Sequence, residues 1–192
     1  MVGAVAAAAA PVAAALRDNG DTMKLARTLK HLLAPPWLAR RAFPAATLQA
    51  IEAAVTAAEL HHAGELRFVA EAGLSFDDLW SDVSARQRAV ELFSKLRIWD
   101  TQHNSGVLIY VQLLDRRVEI VADRGINAKV GQAEWDAVCR VMESAFRDKN
   151  YLSGVRTAVE NIGKLLAVHF PMSSSEHDAS SANELPDRPV LL

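Results

Sequence analysis

Oxygen-bearing residues gather at the open end of one predicted β-hairpin in this chain of 192 residues. Asn104 and Ser105 come just before its first strand, and Asp123 and Gly125 lie at the end of its second. Because an antiparallel hairpin brings the start of one strand beside the end of the other, these groups are expected to lie close together. Carboxylate, amide and carbonyl oxygens are the usual ligands of Ca²⁺ and Mg²⁺. We therefore predict a divalent-cation site formed by Asp100, Asn104 and Asp123 with backbone carbonyls.

The same residues also have a purely structural interpretation. Asn, Ser and Gly before a strand are turn formers. Asp100 could brace its own loop, and Asp123 could simply pair with Arg124 or Arg147. The residue types alone leave both interpretations open.

Other polar groups are weaker candidates for chemistry. The adjacent His61 and His62 would point to different faces of a helix, and the acidic run at 77–82 lacks the spacing of an EF-hand. Cys139 is the only cysteine, and its helical apolar surroundings predict a small buried side chain rather than a nucleophile. The sequence has no Walker loop, dinucleotide-binding glycine motif or nucleophile elbow, so no organic cofactor is predicted.

Hydrophobic periodicity predicts the elements that position the hairpin. In order these are a helix at 47–63, a strand at 65–72, a helix from Ser84, strands at 106–113 and 117–123, and helices striped over 135–146 and 152–166. Ser84 and Gln87 form a capping-box pattern. The strand, helix, strand order predicts a parallel βαβ unit. We therefore predict an α/β fold, a three-layer α/β/α sandwich whose small mixed sheet combines that unit with the hairpin.

The chain divides into four predicted regions. They are an Ala-rich extension at 1–22, a helix and Pro/aromatic connection at 23–46, the α/β/α domain at 47–171, and a Ser-, Asp- and Pro-rich tail at 172–192 predicted to be disordered. Because Met23 resembles a natural start, a second interpretation is that residues 1–22 are not native. The amphipathic helix at 23–33 could dock on the domain or a partner chain, or contact a lipid surface. Its early stop at Pro35 favours docking on protein.

Composition excludes several classes of function. The chain has 21 basic and 23 acidic residues and a formal net charge of −2, which gives no reason to expect a nucleic-acid partner. Lacking a strongly apolar run of 18 residues or more, it is predicted to have no transmembrane segment. The first basic residue, Arg17, follows the N-terminal apolar stretch instead of preceding it. This order is atypical of a secretory signal and predicts a cytoplasmic protein.

The hairpin and its surroundings resemble the TPM domain family over roughly residues 47–168. The matching residues are Asn104, Ser105, Gly106, Val107 and Leu108 for its N-N-G-V-L motif, Asp115, Arg116 and Val118 for D-R-x-V, Gly125 in the following loop, and Phe146, Arg147, Tyr151 and Gly154 downstream. The resemblance implies an α/β/α sandwich, divalent-metal binding, often of calcium, and weak acid phosphatase activity in some members. Other members are accessory or quality-control proteins. The pattern is most similar to a cytoplasmic bacterial branch.

Departures from the family pattern fall at the hairpin end itself. Ser105 replaces the second Asn, and Asp123 and Asn127 stand where the family usually has Gly and an acid.

The phosphatase activity implied by the resemblance has a mechanism that these residues could support. In it, Arg124 and Arg147 would contact a phosphate, and water would attack a metal-polarised phosphoryl group. No residue here is an obvious covalent nucleophile.

Two hypotheses for function therefore stand. The first is a metal-dependent phosphatase acting weakly on a phosphorylated small molecule, with Asp100, Asn104 and Asp123 as metal ligands and Arg124, Arg147, Ser105 and Gly125 near the phosphate. The second is a non-catalytic accessory module that presents helices 23–33 and 151–170 to a protein partner. The sequence specifies no oligomeric state.

Overall fold

A computed structural model describes residues 19–35, 37–172 and 183–192 of the chain. Its elements are α1 Asn19–Leu32, α2 Leu38–Ala42, α3 Ala45–Glu59, β1 Glu65–Glu71, α4 Phe76–Trp80, α5 Ala85–Lys95, β2 Gly106–Gln112, β3 Arg117–Ala122, α6 Arg124–Asn127, α7 Gln132–Arg147, α8 Tyr151–His169 and β4 Val190–Leu191. The predicted long helices and the three predicted strands are all present. Residues 1–18 of the predicted extension lie outside the described ranges, and α1 begins four residues before Met23.

The four strands form one mixed sheet in the order β3-β2-β1-β4. β1 and β2 are parallel and connected through α5, whereas β2 and β3 form the predicted antiparallel hairpin. The predicted βαβ unit plus hairpin is therefore confirmed. β4 adds a short parallel strand at the other edge of β1.

Alternate residues of β2 enter two separate hydrophobic cores, one on each face of the sheet. Val107, Ile109 and Val111 pack with α3, α7 and α8 on one face. Leu108 and Tyr110 pack with α5 on the other. Because side chains alternate along a strand, a strand buried on both faces is apolar throughout. The two cores confirm the predicted three-layer α/β/α sandwich.

Local sequence signals fix the crossover that leads into β2. The Ser84 hydroxyl accepts a hydrogen bond from the Gln87 N–H, and the Gln87 side chain accepts one from the Ser84 N–H, which confirms the predicted capping box of α5. Where the chain then enters β2, a Cβ on Gly106 would lie 1.9 Å from the Ile98 carbonyl oxygen. Only glycine allows the entry loop to pack this closely against the strand.

The core on the α5 face contains a cluster of buried polar groups. Glu71, only 4% exposed, accepts hydrogen bonds from Arg88 Nη2 at 2.7 Å and Nε at 3.1 Å. The Tyr110 hydroxyl donates to the same carboxylate at 2.6 Å. Burial, reinforced by the Glu71 charge, raises the pKa of Tyr110. Because these groups satisfy one another, we assign the cluster a structural role.

The predicted disordered tail at 172–192 is wrong for residues 183–192. Here β4 pairs with β1, Leu185 is buried against the α5-side core, and Asp187 is also buried. The composition is polar, but the open edge of β1 supplies hydrogen bonds that a tail in water would lack. Residues 173–182 lie outside the described part of the chain.

The turn that joins β2 to β3 is held against α1. Asp115 accepts hydrogen bonds from Arg27 Nε and Nη2 at 3.0 and 2.8 Å and contacts His31 Nε2 at 2.9 Å. Burial alone would raise the pKa of Asp115, but the bonds to Arg27 and His31 outweigh it and lower that pKa. The buried His31 ring also accepts from the Leu74 N–H. Asp115 therefore anchors α1 to the domain.

Candidate functional site

Asp123 lies at the junction of β3 and α6, at the open end of the hairpin. It is the N-cap of α6, and its Oδ1 accepts from the Arg124 N–H at 2.6 Å. Its other oxygen, Oδ2, is buried and has no hydrogen-bond partner among the described residues. A buried carboxylate oxygen without a partner is costly in free energy. Among the described residues of the hairpin end, this oxygen is the buried side-chain atom whose hydrogen-bonding capacity is unmet.

Asn104 lies across from Asp123, as the hairpin geometry predicts. Its side-chain Oδ1 accepts from Arg124 Nε at 3.2 Å, and its backbone has a left-handed φ of 50°, a conformation that Asn tolerates better than most residues. The structure thus brings together two predicted site residues, Asn104 in the loop before β2 and Arg124 at the start of α6. It also places the Arg124 guanidinium directly on the amide oxygen of Asn104.

Ser105 supports the loop through its backbone. Its N–H donates to Thr101 Oγ1 at 2.9 Å, and its carbonyl accepts from the Glu65 N–H at 3.0 Å. The residue is only 1% exposed. Ser105 therefore fixes the position of the neighbouring Asn104 and presents little surface of its own.

Gly125 allows the first turn of α6 to lie directly on the loop before β2. A Cβ at this position would be 2.6 Å from the Asn104 carbonyl oxygen and 2.9 Å from that of His103. These are impossible contacts for any other residue without movement of the backbone. The glycine thus keeps two carbonyl oxygens next to the helix that Asp123 caps.

Asp100 and Arg147 are not brought to this cluster in the same way. Asp100 lies in the entry loop, half exposed, and accepts from Arg97 Nη2 at 2.6 Å. Arg147 is in the last turn of α7, one turn beyond Glu143, whose Oε1 accepts from the Val118 N–H near the start of β3. Since β3 starts at the closed end of the hairpin, Arg147 lies at the opposite end from Asp123.

The donor types at the hairpin end suit a hard cation, although the cluster is not rich in acids. In the ranges 19–35, 37–172 and 183–192, no three His, Cys, Asp or Glu side chains form a group that could hold a metal ion. The oxygens that could serve are Asp123 Oδ2, Asn104 Oδ1 and the carbonyls of His103 and Asn104. Calcium accepts such mixed oxygen sets. The opposing feature is Arg124, because a cation bound to Asn104 Oδ1 would have to displace its guanidinium.

His62 and Cys139, two of the weaker candidates for chemistry, are uncharged at neutral pH. Burial lowers the pKa of His62 to about 4, and its ring Nδ1 lies 3.1 Å from the Gly64 carbonyl oxygen. Burial raises the pKa of Cys139 to about 12, so its thiol is protonated at neutral pH. Neither side chain has the character of an activated nucleophile.

A second concave surface, which sequence patterns did not reveal, lies between α2, α3 and α8. This helical groove has a volume of about 1470 Å³. Its floor consists largely of small residues, among them Ala54, Ala58, Gly163 and Ala167, and its charged lining residues are Arg41, Lys149, Arg156, Lys164 and Glu160. Glu160 is already paired with Lys164 at 2.6 Å. The groove is formed by helices that are far apart in sequence. The sequence predicts only that the α8 segment faces a partner, and does not predict the groove itself.

No described helix combines the length and apolar character needed to cross a bilayer. The architecture instead defines a small α/β/α sandwich domain, with an open mixed sheet and a polar loop cluster at one hairpin end.

The TPM domain model matches residues 40–165, which is more than half of the chain. The chain therefore belongs to the TPM domain family, and the resemblance seen in its motifs is confirmed.

Two solved structures are similar to this chain, both determined by NMR. The BA42 protein of the psychrophilic bacterium Bizionia argentinensis is 28% identical, covers 78% of this chain and 95% of its own, and superposes with a TM-score of 0.67. The N-terminal domain of a P. gingivalis protein is 16% identical, covers 73% of this chain and 94% of its own, and has a TM-score of 0.55; it supports the fold alone. None of the curated proteins matches the chain.

Proposed function

We propose that this TPM domain binds a divalent cation, calcium or magnesium, at the open end of the β2–β3 hairpin and hydrolyses phosphomonoesters weakly there. The observation that carries the proposal is the buried, partnerless Asp123 Oδ2. A bound cation would satisfy this oxygen and offset the cost of burying the carboxylate.

Each predicted residue has a distinct role in the proposed site. Asp123 is the central ligand and Asn104 the second. Asp100 is the third, and it reaches the cation only when its ion pair with Arg97 opens. Arg124, released from Asn104, is suited to bind a phosphate through its planar guanidinium.

The remaining predicted residues do not take part directly. Ser105 and Gly125 position the loop and α6, and Arg147, at the far end of the hairpin, is outside the proposed site. When bound, the cation would polarise the phosphoryl oxygen for attack by water. The described residues offer no activated nucleophile at this end, so the proposed activity is slow and hydrolytic.

Calorimetric titration of calcium, and separately magnesium, into the full chain tests the binding step. We expect saturable binding by the wild type and no binding by Asp123→Asn, which keeps the side-chain shape and removes the charge. The exposed Asp148, at the C-cap of α7, provides the charge-matched control Asp148→Asn, which should bind as the wild type does. No saturable binding by the wild type, or equal binding by Asp123→Asn, would overturn the proposed site.

Hydrolysis of para-nitrophenyl phosphate, with and without the cation, tests the catalytic step separately. Arg124→Gln should lower turnover while leaving cation binding in place, because the guanidinium acts on phosphate. Arg140→Gln, at an exposed position on α7, should leave turnover unchanged. Cation binding without any turnover would restrict the function to cation binding.

The helical groove supports a second candidate function, a protein-interaction module. Four of its charged lining residues are basic and one is acidic, and in the described part of the chain Lys149 and Arg156 form no ion pair. An amphipathic helix with an acidic face matches the groove in shape and charge. Fluorescence anisotropy with a synthetic Leu/Glu amphipathic peptide and its Leu/Lys counterpart tests this. Preference for the acidic peptide, lost in Arg156→Glu, is expected, and equal binding of both peptides would reject it.

A further inference from the structure

Helix α1 presents its polar side to the domain and its apolar side outward. Arg27 and His31 bind Asp115 on one side of the helix, and Lys30 Nζ donates to the Leu114 carbonyl. The arrangement is opposite to that of an ordinary surface helix, whose apolar stripe faces the core.

Four leucines occupy the outward side of α1 and the residue that follows it. Leu25, Leu29, Leu32 and Leu33 are 65%, 55%, 50% and 71% exposed. On a helical projection they centre opposite Arg27 and His31, since successive residues are 100° apart. The anchoring contacts therefore hold the leucines away from both hydrophobic cores.

Helix α4 lies beside α1 and carries further exposed apolar side chains. The segments on either side of α4 are fixed to α1, because Arg27 Nη2 donates to the Val83 carbonyl and the Leu74 N–H donates to His31. Phe76 and Trp80 of α4 are 53% and 82% exposed, and their rings stack with centroids 5.9 Å apart. Exposed apolar groups concentrated in this way mark an interaction surface.

We propose that the surface formed by α1 and α4 docks on an anionic phospholipid membrane. Leucine with tryptophan is the combination that interfacial helices insert at the boundary of headgroups and acyl chains. Residues 1–16, which lead toward α1, contain no charged residue. The sequence before α1 is therefore apolar, like the outward side of the helix.

The charges on α1 favour lipid over a second copy of the chain. Helix α1 contains Lys24, Arg27 and Lys30 and one acid, Asp21, so pairing two copies of α1 would bring two net positive helices together. Arg27 and Lys30 are bonded to the domain, so only the remaining net positive charge of the helix attracts anionic headgroups. Asp82, 3.6 Å from Arg27, and the exposed Asp77 on α4 oppose this attraction, so apolar insertion is the main contribution.

Flotation of the full chain with vesicles tests the proposal. Phosphatidylcholine vesicles and mixed phosphatidylcholine and phosphatidylglycerol vesicles are the two probes. We expect the wild type to float with the mixed vesicles and less with phosphatidylcholine alone. Leu29→Ser with Leu33→Ser should lower the apparent affinity roughly tenfold or more, given the apolar area lost from the contact.

The matched control carries Leu60→Ser and Val168→Ser, at positions 66% and 74% exposed on other helices or their ends. It should float as the wild type does, and circular dichroism should report the same fold for all three proteins. Failure of the wild type to float with either vesicle overturns the proposal, as does equal flotation of the leucine variant. Vesicle-independent dimerisation that the leucine variant abolishes would identify the surface as a contact between two copies instead.

Discussion

Replacing Glu59 by Gln should stabilise the domain at neutral and alkaline pH. Glu59, at the end of α3, is partly buried, and its Oε1 accepts from the Leu66 N–H at 2.6 Å. Burial, together with the nearby Glu65 and Asp187 and against the opposing effect of the Leu66 bond, raises the pKa of this carboxyl to about 9. Gln keeps the accepting oxygen and removes the ionisation.

The sign of the pH effect follows from the raised pKa. The folded state holds the Glu59 proton more tightly than the unfolded chain does. The contribution of this proton to the free energy of unfolding is therefore complete below pH 4.5, the ordinary pKa of the group, and is lost as the pH rises toward about 9. Each pH unit within this window is worth about 1.36 kcal/mol, so the ceiling between about pH 5 and 8 is about 4 kcal/mol. Because Glu59 retains some contact with water, we discount this to about 1–2 kcal/mol.

Urea denaturation of the wild type and Glu59→Gln at several pH values between these limits measures the difference. The free energy of unfolding of the wild type should fall relative to that of the variant as the pH rises. Glu160→Gln, which removes an exposed carboxylate paired only with Lys164, is the control and should follow the wild type. A wild type that holds level with Glu59→Gln, or gains on it, would refute the account of a protonated buried Glu59.

Three further substitutions test the architecture. Gly106→Ala should destabilise the fold by about 3 kcal/mol or more in urea denaturation, because the new methyl group would meet the Ile98 carbonyl; a near-neutral effect would contradict the close approach. Tyr110→Phe removes a hydrogen bond to the buried Glu71 and should lower the free energy of unfolding by about 1.5–3 kcal/mol in the same assay. A decrease of less than half of about 1.5 kcal/mol would mean that the bond is not formed. Asp115→Asn should accelerate hydrogen exchange in α1 with little change in the exchange of the central strands, and unchanged exchange in α1 would show that other contacts hold the helix.

The central architecture could be predicted because its signals are local. The apolar run of β2, the stripes of α7 and α8 and the capping box at Ser84 each specify one element from adjacent residues, and a hairpin dictates which loop residues meet. The approach of Asn104 to Arg124 follows from that geometry alone.

What could not be predicted depends on contacts distant in sequence or on very short elements. Arg27 and Asp115 are 88 residues apart, so nothing local in either segment indicates that one anchors the other. β4 has two residues, too few for a periodic pattern. The position of Arg147 could not be predicted, because the sequence does not reveal that α7 runs along β3 toward the closed end of the hairpin.

The two-residue strand β4 also has a consequence for how the chain folds. Val190 pairs with Val69, so this strand can dock only after most of the chain has been synthesised and a long loop has closed. Until then the edge of β1 offers unpaired backbone groups to any other strand, including that of a neighbouring nascent molecule. Once docked, residues 183–192 cover the edge of β1 and so oppose strand pairing between molecules. Before they dock, refolding yield should depend on protein concentration.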